Sequence, residues 1–169
     1  MLITRVQPEY LQAAIALVHD AVHTMNEQGI YQWDEVYPDA SVLRYDIEQE
    51  VMYGAFQEET LLGIVVLNHD QLPEYKAIQW SLNDPHPLVI HRLCISPASQ
   101  KTGIGKNLMK FAEDFAMQNG YRSIRLDAFV NHPAAIRLYE SLAYTNRGTI
   151  KLRKGLFFCY EKIIGTSTS

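Results

Sequence analysis

One stretch constrains this chain more than any other: Leu88 to Ile95, an apolar strand-like run, is closed by Ser96-Pro97 and leads through Gln100-Lys101-Thr102-Gly103-Ile104-Gly105-Lys106 into a helix pattern. Proline cannot donate to a sheet ladder, so the strand stops there. Beyond it Ile104, Leu108, Phe111, Ala112 and Phe115 recur at three-and-four spacing, and Gly120 stands where a helix commonly stops in the left-handed conformation. A buried strand feeding an amphipathic helix is a building unit of a sheet with helices on its faces. Gly103 and Gly105 remove side chains where the first turn's unpaired N–H groups point outward. A phosphate can therefore approach the backbone and the positive helix end, with Lys101 and Lys106 adding charge nearby. The same glycines would also suit a strand-to-helix turn that binds nothing.

Two other phosphate motifs are excluded by the letters. A P-loop, G-x-x-x-x-G-K-[ST], needs glycine where Gln100 stands and a hydroxyl residue where Asn107 stands. A dinucleotide fingerprint, G-x-G-x-x-G, needs glycine where Leu108 stands.

The remainder of the chain supplies alternating elements. Leu2 to Val6 reads as a strand, and Pro8 opens a helix carrying Leu11, Ala14, Ile15, Val18 and Val22 that Gly29 stops. Ile30 to Pro38 has aromatics without a period, after which Asp39 or Ser41 can cap a second helix reaching about Glu50. Met52 to Gln57 and Leu61 to Asn68 form an antiparallel hairpin, and His69 to Pro87 is a loop with one short element. In Ser123 to Ala128, Ile124 and Leu126 alternate inward while Arg125 and Asp127 face outward. Pro133 starts a last helix, and Tyr144 to Lys151 and Leu156 to Ile164 are the final strands. The order predicts an α/β fold with a mixed seven-stranded sheet and about four helices, as a single domain over 1–164 with a flexible polar tail at 165–169.

At 169 residues and 47% hydrophobic content, such a domain can build its own core. A net charge of −4 carries no basic footprint, so nucleic acid is not an expected partner. The longest apolar run, Leu61 to Leu67, is far shorter than the roughly 20 residues of a membrane helix. Cys94 and Cys159 lie apart in apolar runs, which fits a reducing compartment. With no signal-peptide pattern at the start, a cytoplasmic location is expected and a membrane is not. His19 and His23 have zinc-like spacing, but Asp20 replaces the glutamate of H-E-x-x-H, so no metal is expected.

Gln100-x-x-Gly103-x-Gly105, after Leu93-Cys94-Ile95-Ser96-Pro97, resembles the Q/R-x-x-G-x-G/A acetyl-CoA motif of the Gcn5-related N-acetyltransferases. Ala135-Ile136-Arg137-Leu138-Tyr139-Glu140-Ser141-Leu142-Ala143-Tyr144 resembles that family's A-I-x-L-Y-E-x-L-G-F segment, with Ala143 for the customary glycine. The resemblance covers about Leu88 to Lys162 and implies the GNAT acyl-CoA N-acyltransferase fold. It also implies acetyl-CoA as co-substrate, its pantetheine held by the backbone of Leu93, Cys94 and Ile95 where two strands splay. The pyrophosphate would lie over Gln100, Lys101, Thr102, Gly103, Ile104, Gly105 and Lys106. Counting back from Tyr139, the family's asparagine position falls on His132, with Asn131 one residue early; both are assigned to coenzyme contact.

The resemblance places Tyr139 as the acid that protonates the departing thiolate, a role a phenol with a pKa of about 10 suits at neutral pH. Asp127, at the end of its strand, and His91, whose ordinary pKa suits neutral pH, are the two candidate bases. Each also has a structural reading, Asp127 on a solvated face and His91 beside Arg92. Ile30, Tyr31, Trp33, Tyr37 and Pro38, with Asp34 and Glu35, fall where the fold borders its acceptor cleft, and Trp33 and Tyr37 are candidates to hold a cation. They could equally be core. The expected reaction is direct attack by a primary amine of a small molecule. The alternatives are acetylation of a protein N-terminus or lysine, or a non-catalytic acyl-CoA sensor. A homodimer is an expectation by analogy with relatives that pair.

Overall fold

The computed structural model describes residues 1–34 and 37–165. Its strands are β1 (Leu2–Arg5), β2 (Met52–Gln57), β3 (Thr60–Asn68), β4 (Leu88–Ile95), β5 (Ser123–Phe129), β6 (Thr145–Leu152) and β7 (Gly155–Ile163). Its α-helices are α1 (Leu11–Glu27), α2 (Ala40–Glu48), α3 (Ile104–Gln118) and α4 (Pro133–Ser141). The ladders make one mixed seven-stranded sheet, as the element order predicts, with its strands in the order β1-β2-β3-β4-β5-β7-β6. The contacts divide the chain into two compact units, Met1–Leu67 with Arg92–Phe111, and Asn68–His91 with Ala112–Ser169, so β4 and α3 each contribute residues to both.

In the first unit β1 pairs antiparallel with β2, from Leu2↔Phe56 to Arg5↔Tyr53, and β2 pairs with β3 across a turn at Glu58, whose φ is 55°. Pro8 opens a short 3₁₀ turn, Pro8–Tyr10, rather than α1 itself. The stripe of α1 then buries Ala14, Leu17, Val18, Ala21 and Met25, while Leu11, Ile15 and Val22 flank it partly buried. The helix ends before Gly29, which takes a φ of 77°. Asp39 caps α2, its carboxylate accepting from the Val42 N–H at 3.0 Å and the Ser41 hydroxyl at 2.7 Å. Gly63 is a close-approach glycine: a Cβ there would lie 2.9 Å from Ile95 Cδ1 and 3.2 Å from both the Cys94 carbonyl and Leu108 Cδ1.

In the second unit β5 pairs antiparallel with β7 along its whole length, Ser123↔Ile163 to Phe129↔Phe157, and β6 and β7 close a hairpin. The parallel ladder of β4 with β5 consists of Leu88↔Ile124 and Val89↔Arg125, at the start of β4.

The 69–87 loop corrects one sequence expectation. Alternation places Arg125 and Asp127 outward, with a solvated face as one reading of Asp127, yet Arg125 is 5% exposed and Asp127 is only partly exposed. The reason is that the loop folds over this face of β5. Its single 3₁₀ turn, Pro73–Ala77, buries Tyr75. Its backbone is pinned where Glu161 of β7 accepts from the Ser81 N–H at 2.9 Å, the Ser81 hydroxyl at 2.7 Å and the Leu82 N–H at 3.2 Å. Such polar anchoring has no periodicity for a sequence reading to detect. Glu35 and residues 166–169, which form most of the expected tail, lie outside the described residues.

Candidate active site

The turn into α3 has the features of an anion cradle. Pro97–Ser99 forms a 3₁₀ turn, the Thr102 hydroxyl donates to the Ser99 carbonyl, and Lys101 and Gly103 take left-handed backbone angles, φ 65° and 84°. Asn107 N–H donates to the Gly103 carbonyl at 3.0 Å. Among the described residues the N–H groups of Gly103, Ile104, Gly105 and Lys106 donate to no protein acceptor. A Cβ on Gly103 would meet nothing within 4 Å, so the space in front of that turn is open. Ile104 turns its side chain into the core, while Gln100, Lys101, Thr102 and Lys106 are exposed. A row of unpaired N–H donors at a positive helix end with two lysines beside it fits a diphosphate such as that of acetyl-CoA.

Immediately before this turn, Leu93 and Ile95 are half-buried and Cys94 is buried. Burial pushes the Cys94 thiol up to about 12. Burial, with the Asp127 charge adding, does the same for Cys159, so both cysteines are thiols rather than thiolates at neutral pH.

Arg92 adopts a left-handed φ of 52° inside β4, an unfavourable angle for a side-chain-bearing residue. Its guanidinium is held by a two-point pair with buried Asp46 of α2, Nε to Oδ2 at 2.7 Å and Nη2 to Oδ1 at 2.8 Å. A third N–H donates to the Tyr37 hydroxyl at 2.6 Å. Of the aromatic cluster proposed from sequence, Trp33 is 8% exposed and packs in the core, whereas Tyr37 is exposed with its ring 5.9 Å from the Arg92 guanidinium. Ile30 is partly buried and Tyr31 exposed. Asp46 was missed because it falls in an ordinary helix pattern, and its partner Arg92 lies 46 residues away.

In the second unit Tyr139 of α4 is buried between Tyr144 and Tyr160, at ring-centroid distances of 6.2 and 5.9 Å. The hydroxyls of its neighbours are engaged, Tyr144 donating to Glu113 at 2.9 Å and Tyr160 to Glu140 at 3.0 Å. Among the described residues the Tyr139 hydroxyl makes no hydrogen bond. Burial, then the charges of Asp127 and Tyr160, hold its pKa well above the ordinary value. The sequence reading took an unshifted phenol. The structure instead gives one that keeps its proton through the whole neutral range and presents it as a hydrogen-bond donor.

Asp127 is not on a solvated face: it accepts from the Tyr75 hydroxyl at 2.6 Å. Burial raises its pKa, the Tyr75 hydrogen bond opposes the rise, and Glu74 adds to it. Tyr75 was missed because nothing in the 69–87 loop marks it for burial. His91, the other candidate base, is partly buried with Nε2 2.8 Å from Asn68 Oδ1. His132 is the N-cap of α4, its Nδ1 accepting from the Ala135 N–H at 3.3 Å, and burial lowers its pKa. Asn131 beside it is exposed.

On the face of α1, His23 pairs with Glu27 at 2.7 Å and His19 lies 3.9 Å from Asp20, all of them exposed. Among the described residues no three His, Cys, Asp or Glu side chains are grouped to hold a metal ion. No helix there is long and apolar enough to cross a membrane.

Residues 17–144 match the Acetyltransferase (GNAT) family. A curated protein of Xenopus tropicalis, "Probable N-acetyltransferase 14", is 26% identical over 101 residues, which are 60% of this chain and 43% of that protein. The chain thus matches less than half the length of that relative. An acetyltransferase of the GNAT family from Streptococcus agalactiae superposes with a TM-score of 0.85 at 18% identity, over 98% of this chain and 96% of that one. The PaiA N-acetyltransferase of Thermoplasma acidophilum, in complex with coenzyme A, gives 0.72 at 19% identity over 96% and 98%. At these identities the two structures share the fold.

Proposed function

We propose, because this chain belongs to the Acetyltransferase (GNAT) family, that it is an N-acetyltransferase that moves the acetyl group of acetyl-CoA to a primary amine of a small molecule. The observation that carries this reading is the set of N–H groups from Gly103 to Lys106 with no protein acceptor at the start of α3, beside open space at Gly103. Those donors, with Lys101 and Lys106, hold the diphosphate, and the backbone of Leu93 to Ile95 takes the pantetheine amides. Acetyl-CoA, when bound, supplies the thioester that the amine attacks.

Both cysteines are buried thiols, which supports direct transfer over an acyl-cysteine route. Tyr139 offers its hydroxyl hydrogen to the sulfur as negative charge develops there, an interaction stronger in the transition state than in the ground state. Asp127, whose pKa is raised toward the range of a useful base, receives the amine proton, with His91 as the alternative. Asn131 and His132 complete the coenzyme's surroundings. Within its own unit Trp33 is buried and Tyr37 is held on Arg92, which supports a small acceptor over a peptide.

Calorimetric titration with acetyl-CoA, followed by thiol-release assays over a panel of amines and peptides, tests the reading. Saturable binding with turnover on small amines is expected. Absence of binding at millimolar acetyl-CoA refutes it, and turnover confined to peptides moves the acceptor to protein. Tyr139→Phe is expected to lower kcat about 10²–10⁴-fold at unchanged acetyl-CoA affinity.

A further inference from the structure

A pocket of about 610 Å³ lies wholly within the second unit, where the 69–87 loop covers β5. Its volume is in the range of small-molecule sites. Among its walls are the rings of Tyr75 and Trp80, the apolar side chains of Leu72 and Ile78, the exposed Lys76, Asp84 and Arg125.

Arg125 is 5% exposed and its guanidinium lies 4.3 Å over the Trp80 ring. Nη1 donates to Gln71 Oε1 at 2.7 Å and Nη2 to the Leu82 carbonyl at 2.9 Å. Nε is buried with no acceptor. Two buried carboxylates stand in the neighbourhood, but their oxygens are engaged elsewhere. Glu161 holds the loop backbone at Ser81 and Leu82, and Asp84 accepts from the Ser123 hydroxyl at 2.7 Å and the His86 N–H at 3.0 Å. Among the described residues no carboxylate oxygen pairs directly with Arg125. A buried charged donor left unmet is destabilising, so an acceptor brought to Nε from outside the chain would be favourable.

We propose that this pocket binds a small carboxylate with an apolar body, its oxygen accepting from Arg125 Nε–H, its body against Tyr75, Leu72 and Ile78, and Lys76 adding attraction at the rim. A carboxylate satisfies a guanidinium better than a neutral oxygen does, because the hydrogen bond is charge-assisted. An amine would meet Arg125 and Lys76 as like charges, while the oxygens of Asp84 are already taken by the Ser123 hydroxyl and the His86 N–H.

The test uses the full chain without acetyl-CoA, so its failure leaves the transfer reading untouched. Phenylacetate is the probe, with phenylacetamide and phenethylamine as controls. In ¹⁵N-edited NMR spectra the Arg125 Nε–H resonance of the wild-type protein is expected to move downfield in a saturable titration with phenylacetate and to stay in place with phenethylamine. Arg125→Gln is expected to weaken phenylacetate at least about tenfold. Phenylacetate that leaves the resonance unmoved at millimolar concentration, because an internal water alone meets the donor, overturns the proposal. So does an amine that binds equally well. Should Arg125→Gln fail to fold, the wild-type resonance decides.

Discussion

Gly103 and Gly120 allow the proposed coenzyme cradle to be separated from ordinary backbone strain. Both have positive φ, 84° and 75°, and at both an added Cβ meets nothing within 4 Å. Alanine at either position therefore carries the same cost, roughly 1–2 kcal/mol for placing an L-residue in the left-handed region. For a domain of this size that corresponds to a fall in Tm of roughly 2–8 °C. Only at Gly103 does the new methyl stand beside N–H groups that lack a protein acceptor. Losing or lengthening one charge-assisted contact to a phosphate is worth about 1.5–3 kcal/mol, or about 10- to 150-fold in Kd. Thermal unfolding without ligand should show similar losses for Gly103→Ala and Gly120→Ala, and calorimetry with acetyl-CoA should show weakened binding for Gly103→Ala alone. Equal affinity in the two variants, or equal loss, would refute the assignment of the diphosphate to this turn.

Three further outcomes follow from the same geometry. Asp127 has a raised folded-state pKa, so its stabilising contribution is present below the ordinary carboxylate range and lost as pH rises through the raised value. Asp127→Asn should then gain stability relative to wild type on going from acid to neutral pH in denaturant titrations, while turnover falls about 10²-fold or more if the carboxylate is the base. His132 has a lowered folded-state pKa, so its cap contributes above the ordinary histidine range and is lost as pH falls through the lowered value. His132→Ala should cost about 0.5–1 kcal/mol at pH 8 and less at pH 5, measured by thermal unfolding. Asp46→Ala leaves the Arg92 guanidinium without its buried partner and should destabilise by about 3–5 kcal/mol in urea titrations.

Strands and helices whose side chains repeat with a period of two or of three to four were legible in the letters, because burial on one face imposes that period. The hairpin of β2 and β3, the stripe of α1 and the glycine turn into α3 all carry their signal within a few neighbouring residues. The candidate coenzyme turn shares that property, since helix-end donors, glycines and lysines lie within seven positions of one another. Arg125 and Asp127 show where local reading ends. Alternation marks them as outward, but whether outward means water depends on the 69–87 loop, which is held over β5 by Glu161 some 80 residues away. The same holds for Arg92 of β4, whose left-handed angle is compensated by Asp46 on α2, and for Tyr139, whose proton is held by burial among tyrosines from other elements. Periodicity reports which face a residue takes. Desolvation and pairing depend on what the rest of the chain brings to that face, and those are set only when distant segments meet.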